Sequence, residues 1–321
     1  MINKLFLFLS FVCFSIHGQT TSVQGKVVNK ETQEGIPFGH LIITKLKKGT
    51  STDEEGNFIL TFETNEAEEF VKISSVGYVD RRIKVKELTG QITLDPKIDD
   101  LGEVRIYDIK DRKHKRINPF IGARIVGLGN FSGGAYPSAL ARHYERPEKF
   151  DQGCFIKEVE IDFYRVIGKP SPAAKFRLRV LRVSEDGKPG SDLLVEDLIL
   201  KKEANARIIK IDLLPYKIAV PQKGLFIVVE HIFIPENRFL ERLSIKDAET
   251  GNFKTYEVAR YAPIFKGVEV DQKSDSRSYY KSLEGWKAVA QLNTANSILA
   301  GSAPAPAFKV LFTDCLLYTS P

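Results

Sequence analysis

The sequence has 321 residues, of which 43% are hydrophobic and 27% are charged, and its net charge is +6 at pH 7. This length suits about two domains, and the hydrophobic fraction is typical of a globular chain and argues against a disordered one. Basic and acidic residues are interleaved. The densest basic cluster, at residues 110–116, lies in a polar stretch and predicts a solvated segment, so no nucleic-acid partner is expected.

The amino terminus has the pattern of a signal peptide over residues 1–18. Lys4 supplies a positive charge, residues 5–16 are apolar, and Gly18 offers a small residue at the cleavage point. This apolar run is too short to cross a bilayer as a helix, and no later stretch approaches the length that a span requires. We expect an exported protein, in the periplasm or at the outer-membrane surface, with no transmembrane segment.

Residues 19–97 predict a small β-sandwich. Short runs such as Phe58, Leu60 and Phe62 alternate with the residues between them, which is the period of a half-buried strand. Gly and Asp turns separate six or seven such runs, and helical periodicity is not sustained anywhere. Gly56 is expected to take a positive φ in one of these turns.

Four motifs in this region are similar to those of the carboxypeptidase-regulatory-like family, a transthyretin-like β-sandwich at the start of many Gram-negative envelope proteins. They are Gly-Lys-Val at residues 25–27, Gly-Ile-Pro-Phe at 35–38, the turn-rich run at 49–58, and Ser-Val-Gly-Tyr at 75–78. The resemblance implies this sandwich and an envelope location. The family name does not imply peptidase activity, and the matching positions determine the fold, so the resemblance transfers no catalytic residue.

Residues 98–135 are polar and partly glycine-rich, and they predict a linker. An alternative is that Val104 and Ile106 pair as a final strand of the first module. The glycines at residues 127–133 approach a dinucleotide-binding fingerprint, but the third glycine is one place too late and no βαβ pattern surrounds them.

Residues 136–314 predict a second, larger β-sandwich, with a jelly roll as one form of it. The run at residues 176–182 alternates apolar and basic positions. Its apolar side chains are expected to face the core, and its arginines, Arg177, Arg179 and Arg182, to face solvent. Residues 224–234 predict a central strand buried on both faces. The predicted fold class is therefore all-β throughout.

Residues 315–321 resemble a translated sequencing-adapter read-through and predict a non-native tail, with a genuine terminal strand as the alternative. Only Cys154 and Cys315 follow the signal peptide, so the chain lacks the cysteines of a disulfide framework. Cys154 is expected to be a buried, inert thiol.

The sequence offers few candidates for chemistry. It has no His-Glu-x-x-His or Cys-x-x-Cys zinc pattern. Ser278 and Lys281 have the Ser-x-x-Lys spacing of acyl-transferring enzymes but lack the companion motifs, and His231 is expected to be a hydrogen-bonded core residue. The turns at 53–56 and 186–192 carry too few carboxylates for calcium. We expect no catalytic residue, no metal ligand and no cofactor.

Three aromatic residues in a polar stretch, Tyr279, Tyr280 and Trp286, form a candidate ligand platform, because sugars stack on exposed rings. The alternative is that Trp286 anchors a loop on the core. We expect a non-enzymatic, exported envelope protein that acts as a structural, adhesion or accessory binding module, with an envelope protein or a glycan as its partner. A carbohydrate-binding surface protein is the alternative, and a hydrolase with carboxylates in the second sandwich is a third class.

Overall fold

The computed structural model describes residues 20–63, 66–97, 106–150, 153–165, 171–246, 251–272, 277–292 and 299–318. The predicted signal peptide lies outside these residues. Regular structure within them is β-strand, apart from short 3-10 turns at Val85–Glu87, Leu214–Tyr216, Pro235–Asn237 and Val289–Gln291, which confirms the predicted all-β class. A search of the same residues finds no helix with the length and apolar character needed to span a membrane.

Seven strands form the first sandwich. They are β1 (Thr20–Asn29), β2 (His40–Ile43), β3 (Lys48–Ser51), β4 (Asn57–Glu63), β5 (Phe70–Ser74), β6 (Arg81–Lys84) and β7 (Gly90–Leu94). One sheet has the order β4-β1-β7 and the other has the order β3-β2-β5-β6. The pairing is antiparallel except between β1 and β7, which run parallel. The side chains between the sheets form one apolar core.

The predicted alternation holds in β4, where Phe58, Leu60 and Phe62 are buried and Ile59 is 56% exposed. The turn before β4 also has the predicted form. Gly56 takes a φ of +85°, and a Cβ atom there would lie 2.5 Å from the backbone oxygen of Val27. Only glycine combines this conformation with so close an approach of two chain segments.

Sixteen strands follow within the described residues. They are β8 (Ile106–Ile117), β9 (Ile125–Leu128), β10 (Ala139–Tyr144), β11 (Cys154–Asp162), β12 (Ala174–Val183), β13 (Pro189–Asp192), β14 (Leu198–Lys202), β15 (Ile208–Asp212), β16 (Leu225–His231), β17 (Arg238–Lys246), β18 (Phe253–Tyr261), β19 (Phe265–Asp271), β20 (Ser278–Ser282), β21 (Gly285–Ala288), β22 (Ser302–Pro306) and β23 (Lys309–Tyr318).

These strands build a second sandwich. Its large sheet has the order β13-β12-β16-β10-β20-β21, with β14 also paired to β12, and a four-stranded sheet has the order β15-β11-β23-β8. A smaller sheet has the order β22-β19-β9, and β17 and β18 pair with each other as a ribbon. A jelly roll has eight strands in two sheets, so this arrangement is more elaborate than that alternative.

The core of the second sandwich lies between its large sheet and the four-stranded sheet. As predicted, β16 is central and every one of its residues is buried. The apolar positions of β12, among them Phe176 and Leu178, face this core together with Val159 and Ile161 of β11. Cys154 is buried at the start of β11, as the sequence predicts.

The structure places strands in two segments for which the sequence predicts none. Within the predicted linker, β8 pairs with β23 and β9 pairs with β19. Ile106 pairs with Tyr318, so it does not end the first sandwich as the alternative proposed. β23 continues through residue 318, where the sequence predicts a non-native tail. Up to residue 318 the chain is therefore paired as a terminal strand, which was the alternative. That residues 315–321 are a non-native tail stays a prediction.

The two sandwiches are joined through the edge strand β3. The backbone N–H of Gly49 donates to the carbonyl of Ala135 at 2.9 Å, and that of Ser51 donates to the carbonyl of Phe233 at 3.1 Å. Beside these bonds, Phe38 of the first sandwich packs with buried isoleucines of the second in one apolar cluster. The edge of β3 is therefore covered, as edge strands usually require.

Candidate functional site

The arginine side of β12 faces the first sandwich over much of its length. Arg177 is 1% exposed, and its Nη2 donates to the backbone oxygen of Phe38 at 3.0 Å. Arg179 is about three-quarters buried, whereas Arg182 is exposed as predicted. The prediction that Arg177 and Arg179 face solvent is wrong, because the first sandwich covers the face that alternation assigns to them.

A single carboxylate joins the two arginines. Glu230 lies on β16 directly opposite Arg177 in the strand register. Its Oε2 accepts from Nη1 of Arg177 at 3.1 Å, and its Oε1 accepts from Nη1 of Arg179 at 2.7 Å. Each oxygen of this buried carboxylate therefore has a charged donor, which buried charges need.

Two outer carboxylates complete the cluster through bidentate contacts. Asp197 accepts from Nε and Nη2 of Arg177 at 2.5 and 3.0 Å, and Asp192 accepts from Nε and Nη2 of Arg179 at 2.9 and 2.7 Å. Such forked pairs fix orientation as well as contributing energy. We refer to Arg177, Arg179, Asp192, Asp197 and Glu230 as the charge cluster.

The surroundings of Glu230 keep this buried carboxylate ionised. Burial alone raises the pKa of Glu230, but Arg179, the nearby His40 and Arg177 outweigh burial and hold this pKa well below its usual value. Burial lowers the pKa of His40 more than Glu230 raises it, so His40 is neutral at pH 7. Glu230 therefore lacks the raised pKa that an acid catalyst needs.

Ser51, His40 and Glu230 lie in a row that superficially resembles a catalytic triad. Nδ1 of His40 lies 2.9 Å from Oγ of Ser51, but its Nε2 is 3.7 Å from Glu230, beyond hydrogen-bond range. Ser51 is 4% exposed, and its Oγ accepts from the backbone N–H of Phe233 at 2.9 Å. The row therefore links the two sandwiches and does not present a nucleophile to substrate.

Four members of the charge cluster, all except Asp197, line a cleft between the two sandwiches. The cleft has a volume of about 590 Å³, within the range of about 300–1,000 Å³ typical of small-molecule sites. The first sandwich contributes Lys72 and residues 74–80 to its walls, and the second contributes Tyr136, Arg179 and residues 281–283. Neither sandwich forms this cleft alone.

Another depression, of about 620 Å³, lies beside Arg124 and Glu269. It is more open to solvent than the cleft and its lining includes one ion pair, between those two residues at 3.1 Å. The cleft brings together more charged, hydroxyl and aromatic groups, so we take it as the candidate site.

The structure separates the three predicted platform residues. Tyr280 stacks on Phe131, with ring centroids 5.0 Å apart, and packs against the main core of the second sandwich. Tyr279 and Trp286 pack together on the other face of the large sheet, where Tyr279 meets Phe226 edge to face. All three platform rings are half-buried. They do not form one exposed surface, because neighbouring strand positions point to opposite faces.

Trp286 lies beside the cleft and its ring is covered by a lysine. Nζ of Lys281 lies 4.9 Å from the ring centroid, a cation–π distance. Lys281 itself lines the cleft. The indole face is therefore covered in this structure. The β20–β21 hairpin contributes the ammonium of Lys281 to the cleft lining, and not the ring of Trp286.

The other sequence candidates have structural positions. Ser278 is buried on β20, three strand positions from Lys281, so the two side chains point to opposite faces and do not interact. Nε2 of His231 lies 3.1 Å from the backbone oxygen of Pro263, as expected for a core histidine. Among the described residues, no group of three or more His, Cys, Asp and Glu side chains is arranged to hold a metal ion.

The predicted turns are held by local bonds. Asp53 accepts from the backbone of Glu55 and Asn57 at 3.0 and 2.7 Å. Asp186 accepts from Oγ of Ser184 at 2.5 Å and pairs with Lys188 at 2.8 Å. The first turn connects β3 of one sheet to β4 of the other, the second is the β12–β13 hairpin, and the carboxylates of Asp53 and Asp186 already have partners.

Sequence reasoning missed the cleft, although one signal for it was present. A glutamate in the fully apolar run of β16 requires a buried cation, and the Arg-x-Arg alternation of β12 provides two on a neighbouring strand. Reading these two features together predicts buried ion pairs between β12 and β16. It does not predict which part of the molecule covers them.

The family model described as the CarboxypepD_reg-like domain matches residues 23–106, a range that includes all of the first sandwich except the start of β1. The chain has no match among curated proteins.

Proposed function

Because the chain carries a carboxypeptidase-regulatory-like domain over residues 23–106, we propose that it is a non-enzymatic, exported binding module of the Gram-negative cell envelope. The observation that carries this proposal is the cleft, whose walls come from both sandwiches and which four members of the charge cluster line. Ligand sites occur preferentially at such junctions between domains. The first sandwich then has a direct part in binding, since it supplies one wall.

The chemistry of the cleft favours binding over catalysis. The carboxylates of Asp192 and Glu230 are occupied by arginine donors, and the pKa of Glu230 is held low by Arg179, His40 and Arg177 against the effect of burial. A hydrolase would need a carboxyl group able to exchange a proton near neutral pH. This supports the binding role over the hydrolase alternative.

A carbohydrate ligand is the second candidate. The walls of the cleft carry the rings of Tyr78 and Tyr136 and the hydroxyl groups of Ser74 and Ser75. Aromatic rings with neighbouring hydroxyls suit the apolar faces and polar edges of sugars.

The binding proposal predicts that filling the cleft abolishes association with the envelope. Mature chain, starting at residue 19, would be incubated with Gram-negative envelope vesicles and the bound fraction measured by sedimentation. We expect Ser75→Trp, in the cleft wall, to lose binding and Ile59→Trp, on the exposed face of β4, to retain it. Binding that survives protease treatment of the vesicles would favour a glycan partner.

Equal sedimentation of the two variants, or none by the parent chain, would refute the binding proposal. Melting curves of both variants check that they remain folded. The export part is tested by expressing the full chain in a Gram-negative host and sequencing the amino terminus of the periplasmic product. We expect cleavage after Gly18, and a product that begins at Met1 would refute export by this signal.

A further inference from the structure

Among the charged groups that line the cleft, the one whose hydrogen-bond donors are left without a partner is a cation. The carboxylates of the charge cluster are occupied by arginines, and each nitrogen of the Arg179 side chain donates within the cluster. Lys281 also lines the cleft, and its ammonium lies over Trp286 and makes no hydrogen bond or ion pair with any described residue. Three N–H donors with a full charge are thus available to a ligand.

A second ammonium faces the cleft from the other wall. Lys72, on β5, pairs with Asp80 at 2.7 Å, but both side chains are about half exposed and such pairs contribute little. The charge of Lys72 acts on Lys281. Burial lowers the pKa of Lys281 most, and repulsion by Lys72 and Arg179 lowers it further. An anionic group between the two walls would relieve this repulsion.

The remaining lining limits what kind of anion fits. Tyr78 and Tyr136 supply rings, and Ser74 and Ser75 supply hydroxyl groups. A bare inorganic anion could accept from the hydroxyl groups but would leave the ring faces unused. A sugar has hydroxyls and an apolar ring face, and a monosaccharide or disaccharide has a size suited to a volume of about 590 Å³.

We propose that the cleft binds a carboxylate-bearing sugar, a uronic acid, with its carboxylate at the ammonium of Lys281. This inference rests on the proposed function and names the ligand class of the same site. A charge-assisted hydrogen bond to a carboxylate is stronger than a partly exposed cation–π contact, so the ligand draws Lys281 away from Trp286. The sugar ring then lies against the tyrosines and serines of the walls.

The sole tryptophan of the chain makes this displacement measurable. Removing an ammonium from the face of an indole changes the electric field on the ring and therefore its fluorescence. The mature chain would be titrated with glucuronate and galacturonate, and with glucose and galactose as neutral controls. We expect a saturable change of Trp286 emission with at least one uronate, binding at least about tenfold weaker for the neutral sugars, and weakening by added salt.

Matched lysine variants identify the group that recognises the carboxylate. Lys281→Gln should weaken uronate binding by about tenfold, or about 1.4 kcal/mol. Lys287→Gln should leave it unchanged, because Lys287 lies on the adjacent strand, pairs with Glu284 at 2.6 Å and does not line the cleft. Calorimetry is the readout here, since Lys281→Gln alters the emission of Trp286 directly. Melting curves confirm that both variants fold.

Three results would overturn the inference. They are equal binding of neutral sugars and uronates, equal losses in the two lysine variants, and tighter binding of an aspartate-containing dipeptide than of any uronate. If Ser75→Trp abolishes envelope binding while no uronate binds, the proposed function stands and this inference fails. If uronates bind through Lys281 but the chain does not bind envelope vesicles, the envelope role fails and the ligand class stands.

Discussion

Glu230 shows how one residue connects distant parts of the chain. It accepts hydrogen bonds from Arg177 and Arg179, and it lies beside His40 of the first sandwich. Moving charged groups out of water is costly, and in this position the cost is offset because every carboxylate oxygen has a cationic donor. Removing the Glu230 carboxylate would therefore be costly, because the charges of Arg177 and Arg179 would lose the acceptor that they share.

We expect Glu230→Gln to lower the free energy of unfolding by about 3 kcal/mol, because two buried arginines lose the carboxylate between them. The matched control is Asp95→Asn, which removes a carboxylate from the exposed pair with Lys30 and should cost less than about 1 kcal/mol. Urea denaturation of the variants measures both values. Similar small losses in the two variants would show that the cluster contributes little to stability.

His231 predicts a dependence of stability on pH. Burial lowers its pKa to about 4, whereas an unfolded histidine has a pKa near 6.5. Between these values the unfolded chain binds a proton that the folded chain does not, so stability falls as the pH falls from 6.5 to 4, by about 3 kcal/mol. The buried, neutral His40 acts in the same direction.

Denaturation curves of His231→Gln at several pH values test this expectation. The variant should show a shallower loss of stability between pH 6.5 and 4 than the parent chain. The remaining slope belongs to His40 and the carboxylates. A slope identical to that of the parent would contradict the assignment.

At the scale of elements, alternation predicted strand β12 and its core-facing side from the sequence. It misassigned the other side, because a face that another domain covers, with its arginines paired to carboxylates of their own sandwich, has the same Arg-x-Arg pattern as a solvated face. The covering groups, such as the backbone oxygen of Phe38, lie far away in the sequence. Only the assembled structure brings them to Arg177.

Strand β8 shows why the predicted linker was partly wrong. Within the described part of the chain it is an edge strand whose one partner is β23, and it carries the basic cluster of residues 110–116. Lysine and arginine are common on edge strands, where they discourage pairing with other chains. A charged edge strand and a solvated linker therefore have similar composition, and the partner that distinguishes them lies at the other end of the chain.

The β20–β21 hairpin shows the same limit at the candidate site. The sequence placed Tyr279, Tyr280 and Trp286 in one stretch, and the structure has them in one hairpin but on two faces of the sheet. It gave no indication that Tyr280 points into the core or that Lys281 covers the indole. The face to which Tyr280 points follows from the alternation along β20. The position of Lys281 over the indole depends also on the opposite wall of the cleft.

At the scale of the whole molecule, the two sandwiches share an interface of several kinds of contact. Backbone bonds cover β3, Phe38 packs with Ile232 and Ile234, and Arg177 reaches across to the first sandwich. The cleft wall positions depend on all of these contacts. We therefore expect the two sandwiches to behave as one unit in solution.

Equilibrium unfolding tests this expectation without any variant. Trp286 fluorescence reports on the second sandwich, and far-ultraviolet circular dichroism reports on the strands of both. The two signals should give one coincident transition in urea, which is the mark of a single cooperative unit. Separate midpoints would show that the sandwiches unfold independently and that the cleft walls are not held firmly together.

The place of β23 between β11 and β8 has a consequence for biosynthesis. The four-stranded sheet cannot form until residues near 310 have been made, whereas every strand of the first sandwich is complete by Leu94. During synthesis the first sandwich therefore precedes its neighbour, with the edge of β3 and the ring of Phe38 still uncovered. For that interval the nascent chain presents an open strand edge, so a holding chaperone has more to protect here than in the finished protein.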